Sequence, residues 1–390
     1  MPKKNRLRYV FNIEFVWVTL LTLLVAGLMW TALSNIRMFH PIANALKNFA
    51  LSDLYYDIKW PTDGTMPTEM SPDITIVDIG DLDRAGIAAL LAEVNSHEPA
   101  VIGLDVMFYG FKDPESDYIL DSVAASIPNL VTACRMIDYD AATGHYGDVE
   151  KSFFVTENSR MGYVNTEVPY VEPVRMFSFD RILQGDTISS LSVKLAESYI
   201  QGEIGRGGNA NKRIDYKYVG FNKVACDSVS NYSYLINNRI VLLGSLDDPT
   251  DRLNTPIHEM QGVEVVAYIV QTLVDHRIIR EIPANWYYLL VVIMCYITVV
   301  WDFFWFRLFQ RYDKSYLVSS KLVSRMLTFL WMFVIAWITY IAYEMYDLFI
   351  PLMALMAIPL LSGEGRNLYV AKVKEGKSIY KEKSVKEEGT

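Results

Sequence analysis

Two kinds of hydrophobic pattern divide this chain. Residues 11–33 are apolar almost throughout, with Glu14 as the single acid, and residues 285–306 repeat the pattern with Asp302 near the end. At 1.5 Å per residue, each run as a helix crosses a hydrocarbon core of about 30 Å. Residues 327–343 predict a third span, and 348–361 a fourth that is short unless it runs on to 370. Between the first two lies 34–283, where the apolar runs are short. Residues 74–79, 100–108, 129–136, 162–165, 214–219 and 240–244 predict strands, and 82–95, 115–126, 191–200 and 261–275 predict helices. Strands that are apolar at every position suit a parallel sheet covered on both faces. The fold class expected is therefore α/β, a mostly parallel sheet with helices on both faces, joined to four transmembrane helices.

Charge gives this plan an orientation. Lys3, Lys4, Arg6 and Arg8 precede the first span, and Arg307, Arg311, Lys314, Lys321 and Arg325 stand against the single acid Asp313 after the second. Basic flanks stay cytoplasmic, so both termini and the basic loop 307–326 are expected inside, with 34–283 outside. Glu344 and Asp347 then mark an external turn, and 371–390 a cytoplasmic tail. The first span is too long for a signal-peptide core and lacks a small-x-small site after it, so it reads as an uncleaved anchor. Segment 34–283 carries about fifteen more acidic than basic residues, which argues against nucleic acid or anionic lipid as a partner. Cys134, Cys226 and Cys295 form no disulfide framework, although a Cys134–Cys226 bridge stays open outside the cytoplasm. The Lys- and Glu-rich tail has no apolar periodicity with which to fold.

Candidate chemistry is confined to the middle segment. Asp78 and Asp81 close the first predicted strand, Asp105 lies in the second, and Asp247, Asp248 and Asp251 follow the late strand. The carboxyl ends of parallel strands share one edge, where ligands bind, so these groups are placed to converge. Oxygen ligands of that kind suit Mg²⁺ or Ca²⁺, but aspartates at strand ends also cap helices and satisfy loop amides. Asp105, flanked by apolar residues, needs a partner if buried, and Arg252 is the candidate; His258 lies nearby in sequence. The glycine-rich stretch 202–213, with Arg206, Lys212 and Arg213, matches neither phosphate-loop spacing and reads as a surface excursion. No G-x-S-x-G, H-E-x-x-H or Cys/His metal spacing is present, and no cofactor is implied. Glu14 and Asp302, near the cytoplasmic ends of their spans, read as interfacial groups or helix-to-helix hydrogen bonds.

Leu54, Tyr55, Tyr56 and Asp57 follow the first span; Ile76, Val77 and Asp78, then VIGLDVMF at 101–108, then NRIVLLG at 238–244 come in order. Thr255 and Pro256 precede Gly262, Val263, Glu264 and Val265. Together these resemble the CHASE2 family, extracytoplasmic sensory domains of bacterial membrane receptors with one helix before the domain and three after. The resemblance covers about residues 54–361. It departs at Gly80 to Ala85, where the family often has a Trp/Pro/Arg-rich segment, and at Ser245, Leu246 and Asp247, where it has Ala, Thr and Ala. It implies a bacterial inner-membrane protein without enzymatic activity. Its outer domain would sense an extracytoplasmic ligand or envelope protein.

Family members commonly continue into a kinase or cyclase, so the output here is expected from a cytoplasmic partner acting in trans. A homo-oligomer stays open. Two other readings remain: an assembly subunit of an envelope complex, and a metal-dependent hydrolase built on the aspartates. The ligand-binding candidates are Asp78, Asp81, Asp105, Asp247, Asp251, Arg252 and His258.

Overall fold

The computed structural model describes residues 12–36, 53, 55–56, 69–155, 160–166, 172–206, 211–216, 219–311 and 321–387. Lys3, Lys4, Arg6, Arg8, Leu54, Asp57, Asp313 and Lys314 lie outside the described residues. The chain forms two compact units, Met1–Ser52 with Glu281–Thr390, and Asp53–Arg280. In chain order the elements begin with α1 (Ile13–Asn35), β1 (Met70–Asp78), α2 (Arg84–Ser96), β2 (Val101–Leu104), α3 (Pro114–Ser126), β3 (Leu130–Asp140), β4 (His145–Lys151) and β5 (Met161–Tyr163). They continue with β6 (Met176–Ser178), β7 (Asp180–Leu183), β8 (Asp186–Ser189), α4 (Leu191–Ile200), β9 (Asn211–Arg213), β10 (Gly220–Ala225) and β11 (Ile240–Gly244). Last come β12 (Arg252–Leu253), β13 (Met260–Gln261), α5 (Gly262–Val274), α6 (Ala284–Arg311), α7 (Lys321–Tyr346) and α8 (Met353–Glu387).

The Asp53–Arg280 unit is built on one sheet of order β10-β1-β11-β2-β3-β4-β7-β8, with β5 also paired to β3. Strands β10, β1, β11, β2, β3 and β5 run parallel. Every residue of β2 and β11 is buried, as their continuous apolar runs require. Val77, Ile102, Leu104, Val241 and Leu243 share a core with Ile87, Leu90, Leu91 and Val94 of α2 and Leu120 of α3. On the opposite face α4 packs on β2, β3 and β5, and α5 on β1 and β11. Gly103 makes that second layer fit, because a Cβ there would lie 2.7 Å from Leu195 Cδ1. Caps start the helices: Asp83 accepts from Gly86 N–H, Asp113 from Ser116 N–H, and Ser190 from Val193 N–H.

Two expectations are corrected, and one part of the sheet was not expected. Beyond Met136, where the predicted strand ended, β3 runs on to Asp140 and β4 returns antiparallel beside it, prolonging the sheet into β7 and β8. The strand expected at 214–219 lies later, at β10, where Phe221 and Val224 are buried, and residues 214–216 are irregular. The charged tail is helical, since α8 continues without a break to Glu387. Lys and Glu are good helix formers, so a segment with no apolar stripe can still prolong a helix already nucleated upstream.

In the other unit, among the described residues, three helices are long and apolar enough to cross a membrane: α1, Ala284–Trp305 of α6, and Arg325–Tyr346 of α7. The fourth predicted span does not reach that standard. Its first residues form a short strand, Leu348–Phe349, and α8 begins only at Met353, reaching Glu364 and Arg366 within four turns. Phe15 and Val18 of α1 pack with Val299 and Phe303 of α6, against Tyr369 of α8. Gly365 lets α8 approach α1 closely: a Cβ there would overlap Thr22 Oγ1 and lie 3.1 Å from the Thr22 backbone nitrogen. Asp302 meets Arg366 at 3.2 Å, an ion pair between α6 and α8 and so a helix-to-helix contact, the second of the two roles expected for it. Trp331 Nε1 donates to Thr298 Oγ1 at 2.9 Å, and its ring stacks on Trp301, joining α7 to α6.

Candidate functional site

A cleft of about 300 Å³ opens at the carboxyl edge of the parallel strands. Asp105 follows β2 directly, and its N–H donates to Leu243 O at 2.8 Å, prolonging the β2–β11 pairing by one residue. The chain then leaves the sheet along a loop held from the other side, where Phe108 N–H donates to Ser152 Oγ and Phe153 N–H to Phe108 O. Asp251 enters from the loop after β11. Its carboxylate accepts from Gly262 N–H at 3.1 Å, at the start of α5, and Gly262 has no room for a Cβ because Asp251 Oδ2 would lie 2.6 Å from it. The positive end of the helix suits an anion at this position. Arg135 of β3, Tyr163 of β5 and the segment 164–166 form another wall. Asn165 fixes that segment by exchanging two 2.8 Å hydrogen bonds with the backbone of Met136. Met107, Val174, Met176, Phe177, Leu253, Val265, Val266 and Ile269 add apolar surface, and Ser178, Ser190 and Ser192 add hydroxyls.

Burial in this apolar setting, with the Asp251 charge adding to it, pushes the Asp105 carboxyl up to about 7. Burial also raises Asp251, with Asp248 adding to it and the Gly262 N–H working in the opposite direction. Asp105 keeps some exposure, and that surface faces the cleft. Among the described residues no hydrogen bond or ion pair is made by the Asp105 carboxylate, and Arg135 has no ion-pair partner.

Of the seven sequence candidates, only Asp105 and Asp251 come together. Asp78 accepts from Gly80 N–H and Leu246 N–H, tying the end of β1 to the loop after β11. Asp81 is exposed and outside the cleft. Arg252 does not reach Asp105; it lies 3.8 Å from the exposed Asp247. His258 is lowered by burial, with Glu264 and Lys223 as its charged neighbours, and its backbone bonds with Thr255 Oγ1. Among the described residues no group of three or more His, Cys, Asp or Glu is placed to hold a metal ion. Arg206 of the glycine-rich stretch is paired with Asp180 at 3.0 Å and with Glu197, so its charge is already matched. Cys134, Cys226 and Cys295 are all free. The sequence reading missed Arg135, although a lone charge within the apolar run 129–136 is a visible signal.

A wider groove of about 880 Å³ lies between α2, α3 and the 106–113 loop. Its chief charge is already neutralised, because Arg84 pairs with Asp117 and donates to Tyr109 O at 3.1 Å. Asp117 also accepts from Lys112 N–H and Asp113 N–H, so the pair fixes the loop rather than awaiting a ligand. Asp105 has no such partner, which favours its cleft.

The family model of the CHASE2 domain matches residues 20–301, from within α1 to within α6. The chain belongs to the CHASE2 family. No curated protein and no solved structure matches it. CHASE2 is a sensory domain of extracytoplasmic type and not a catalytic one. Within the CHASE2 domain of this chain, the VIGLDVMF stretch is β2 and the loop that delivers Asp105 and Met107 to the cleft. The GVEV stretch is the first turn of α5, where Gly262 meets Asp251.

Proposed function

We propose that this chain is an integral membrane receptor-like protein whose CHASE2 domain lies outside the cytoplasm, binds a ligand in the Asp105 cleft and signals through its helices to a separate protein. The observation that carries the reading is the cleft itself. It is a concave space at the sheet edge where α/β domains take ligands, lined about equally by polar and apolar surface, and among the described residues its Asp105 carboxylate has no hydrogen-bond or ion-pair partner. The basic residues before α1 and between α6 and α7 orient the domain outward with both termini inside. On this reading the apolar start of α8 completes a fourth crossing beside α1 and α6, with residues 353–370 in the bilayer. A ligand moves such a protein only if it binds two states with different affinity, and a few kcal/mol of difference is enough.

The test is a gentle-detergent pull-down of the full chain, with mass spectrometry of copurifying proteins and small molecules. A cytoplasmic kinase, cyclase or regulator supports the receptor. Envelope proteins alone, with no signalling enzyme and no small ligand, replace it with an assembly subunit.

A further inference from the structure

We propose that the Asp105 cleft recognises a small ligand that carries an ammonium group on an apolar body. The proposal rests on the reading of this cleft as the sensory site and adds the ligand's chemistry.

Size sets the first limit. At roughly 30 Å³ per water, the 300 Å³ of the cleft holds about ten, so the ligand has on the order of ten non-hydrogen atoms. Charge sets the second. Asp105 and Asp251 both face the space, and Asp251 is held in place by Gly262 N–H without being neutralised by a cation. An ammonium ion beside Asp105 supplies the missing counter-charge and donates hydrogen bonds to a carboxylate that otherwise makes none. An anion in the same place meets two acids. Met107, Met176, Phe177, Val265 and Ile269 then bury the ligand's hydrocarbon. Arg135 is the one cation among the described lining residues, and it is largely in water. It gives a carboxylate on the same ligand a partner, which separates a zwitterion from a simple amine.

Three probes share one isobutyl body and differ only in charge: leucine, isopentylamine and 4-methylpentanoate. Their binding to the full chain in nanodiscs is measured by calorimetry and by saturation-transfer NMR, up to about 10 mM, where a Kd of ~1 mM is nearly saturated. Isopentylamine or leucine is expected to bind at least about tenfold more tightly than 4-methylpentanoate, and Asp105→Asn to weaken the amine by about tenfold or more. A leucine preference over isopentylamine that Arg135→Gln removes assigns the zwitterion.

Binding of 4-methylpentanoate equal to or tighter than both amines overturns the ammonium class while leaving the cleft a ligand site. So does amine binding that Asp105→Asn does not weaken, because the site is then elsewhere. Absence of binding by either amine overturns the proposal as well, and the receptor reading is still judged by its own copurifying partners. Hydrogen exchange across β2 and β11 in the variant separates lost recognition from lost fold.

Discussion

Replacing Asp105 by Asn should stabilise the Asp53–Arg280 unit at alkaline pH and leave it unchanged in acid. Burial, with the Asp251 charge beside it, pushes the Asp105 carboxyl up to about 7 in the folded protein, from an ordinary value of 3.8. A folded state that holds its proton more tightly than the unfolded chain is most stable below the unfolded pKa. That contribution is lost as pH rises from about 4 to about 7, and stability is flat above. About three pKa units correspond to roughly 4 kcal/mol, and water in the cleft screens part of this, so about 2–4 kcal/mol is the expected penalty of ionised Asp105 at pH 8. Asn carries no charge at any pH and escapes the penalty. Asp251 is raised too, so it gives both proteins a similar slope, and the comparison isolates Asp105.

The assay is hydrogen exchange by mass spectrometry on peptides covering β2 and β11, with both proteins in nanodiscs at pH 5 and pH 8. Intrinsic exchange is the same for both at a given pH. Protection of Asp105→Asn should exceed wild type by about 30- to 1000-fold at pH 8 and by only about 10-fold at pH 5, where the unfolded carboxyl has ionised and the folded one has not, with the difference vanishing below about pH 3. A variant no better protected at pH 8, or one whose difference is independent of pH, would refute an uncompensated buried acid.

Three further substitutions test the packing. Arg84→Met leaves Asp117 buried without its partner and should cost roughly 3 kcal/mol of unit stability, read as a lowered melting point, whereas the double change with Asp117→Leu should recover much of it. Gly162→Ala drives a Cβ to 2.5 Å from the Leu191 backbone, while Gly103→Ala meets only side-chain ends, Leu195 at 2.7 Å and Leu242 at 2.8 Å. Both should destabilise by about 1–3 kcal/mol, and urea denaturation should rank Gly162→Ala as the worse because backbone yields less than a side-chain end. Gly365→Val should separate α8 from α1 and lower thermal stability in detergent, with disulfide crosslinking between cysteines introduced on the two helices reduced by at least about half.

The central sheet was legible because its physics is local in sequence. β1, β2 and β11 are apolar runs of strand length, and α2 to α5 carry apolar residues at helical spacing between capping residues. The same logic placed Asp105 at the carboxyl edge of the sheet. What escaped were elements whose stability comes from elsewhere in the chain. His145–Lys151 has an exposed, charged sequence and becomes a strand because β3 offers an edge to pair with. α8 continues through Lys and Glu because a helix is already running. Asp251 stood among the acids expected at this edge, but nothing in the pattern separates it from Asp247 and Asp248; the turn into α5, through Gly262 N–H, is what carries it into the cleft. Asp78, an equally good candidate by position, is engaged by two loop amides that no pattern announces.

The packing of α1 against α6 and α8 also has a temporal side. About 250 residues separate the end of α1 from the start of α6, which at roughly 5–20 residues per second takes on the order of ten to fifty seconds to synthesise. During that interval, if α1 enters the bilayer first, Phe15, Thr19 and Thr22 have only lipid or other proteins as neighbours. The contacts that close the bundle, Phe15 with Phe303 and Thr22 with Gly365, arrive last. The Asp53–Arg280 unit thus has time to fold before the helical unit is complete, and a ribosome that stalls within α8 leaves a folded domain on an unfinished bundle.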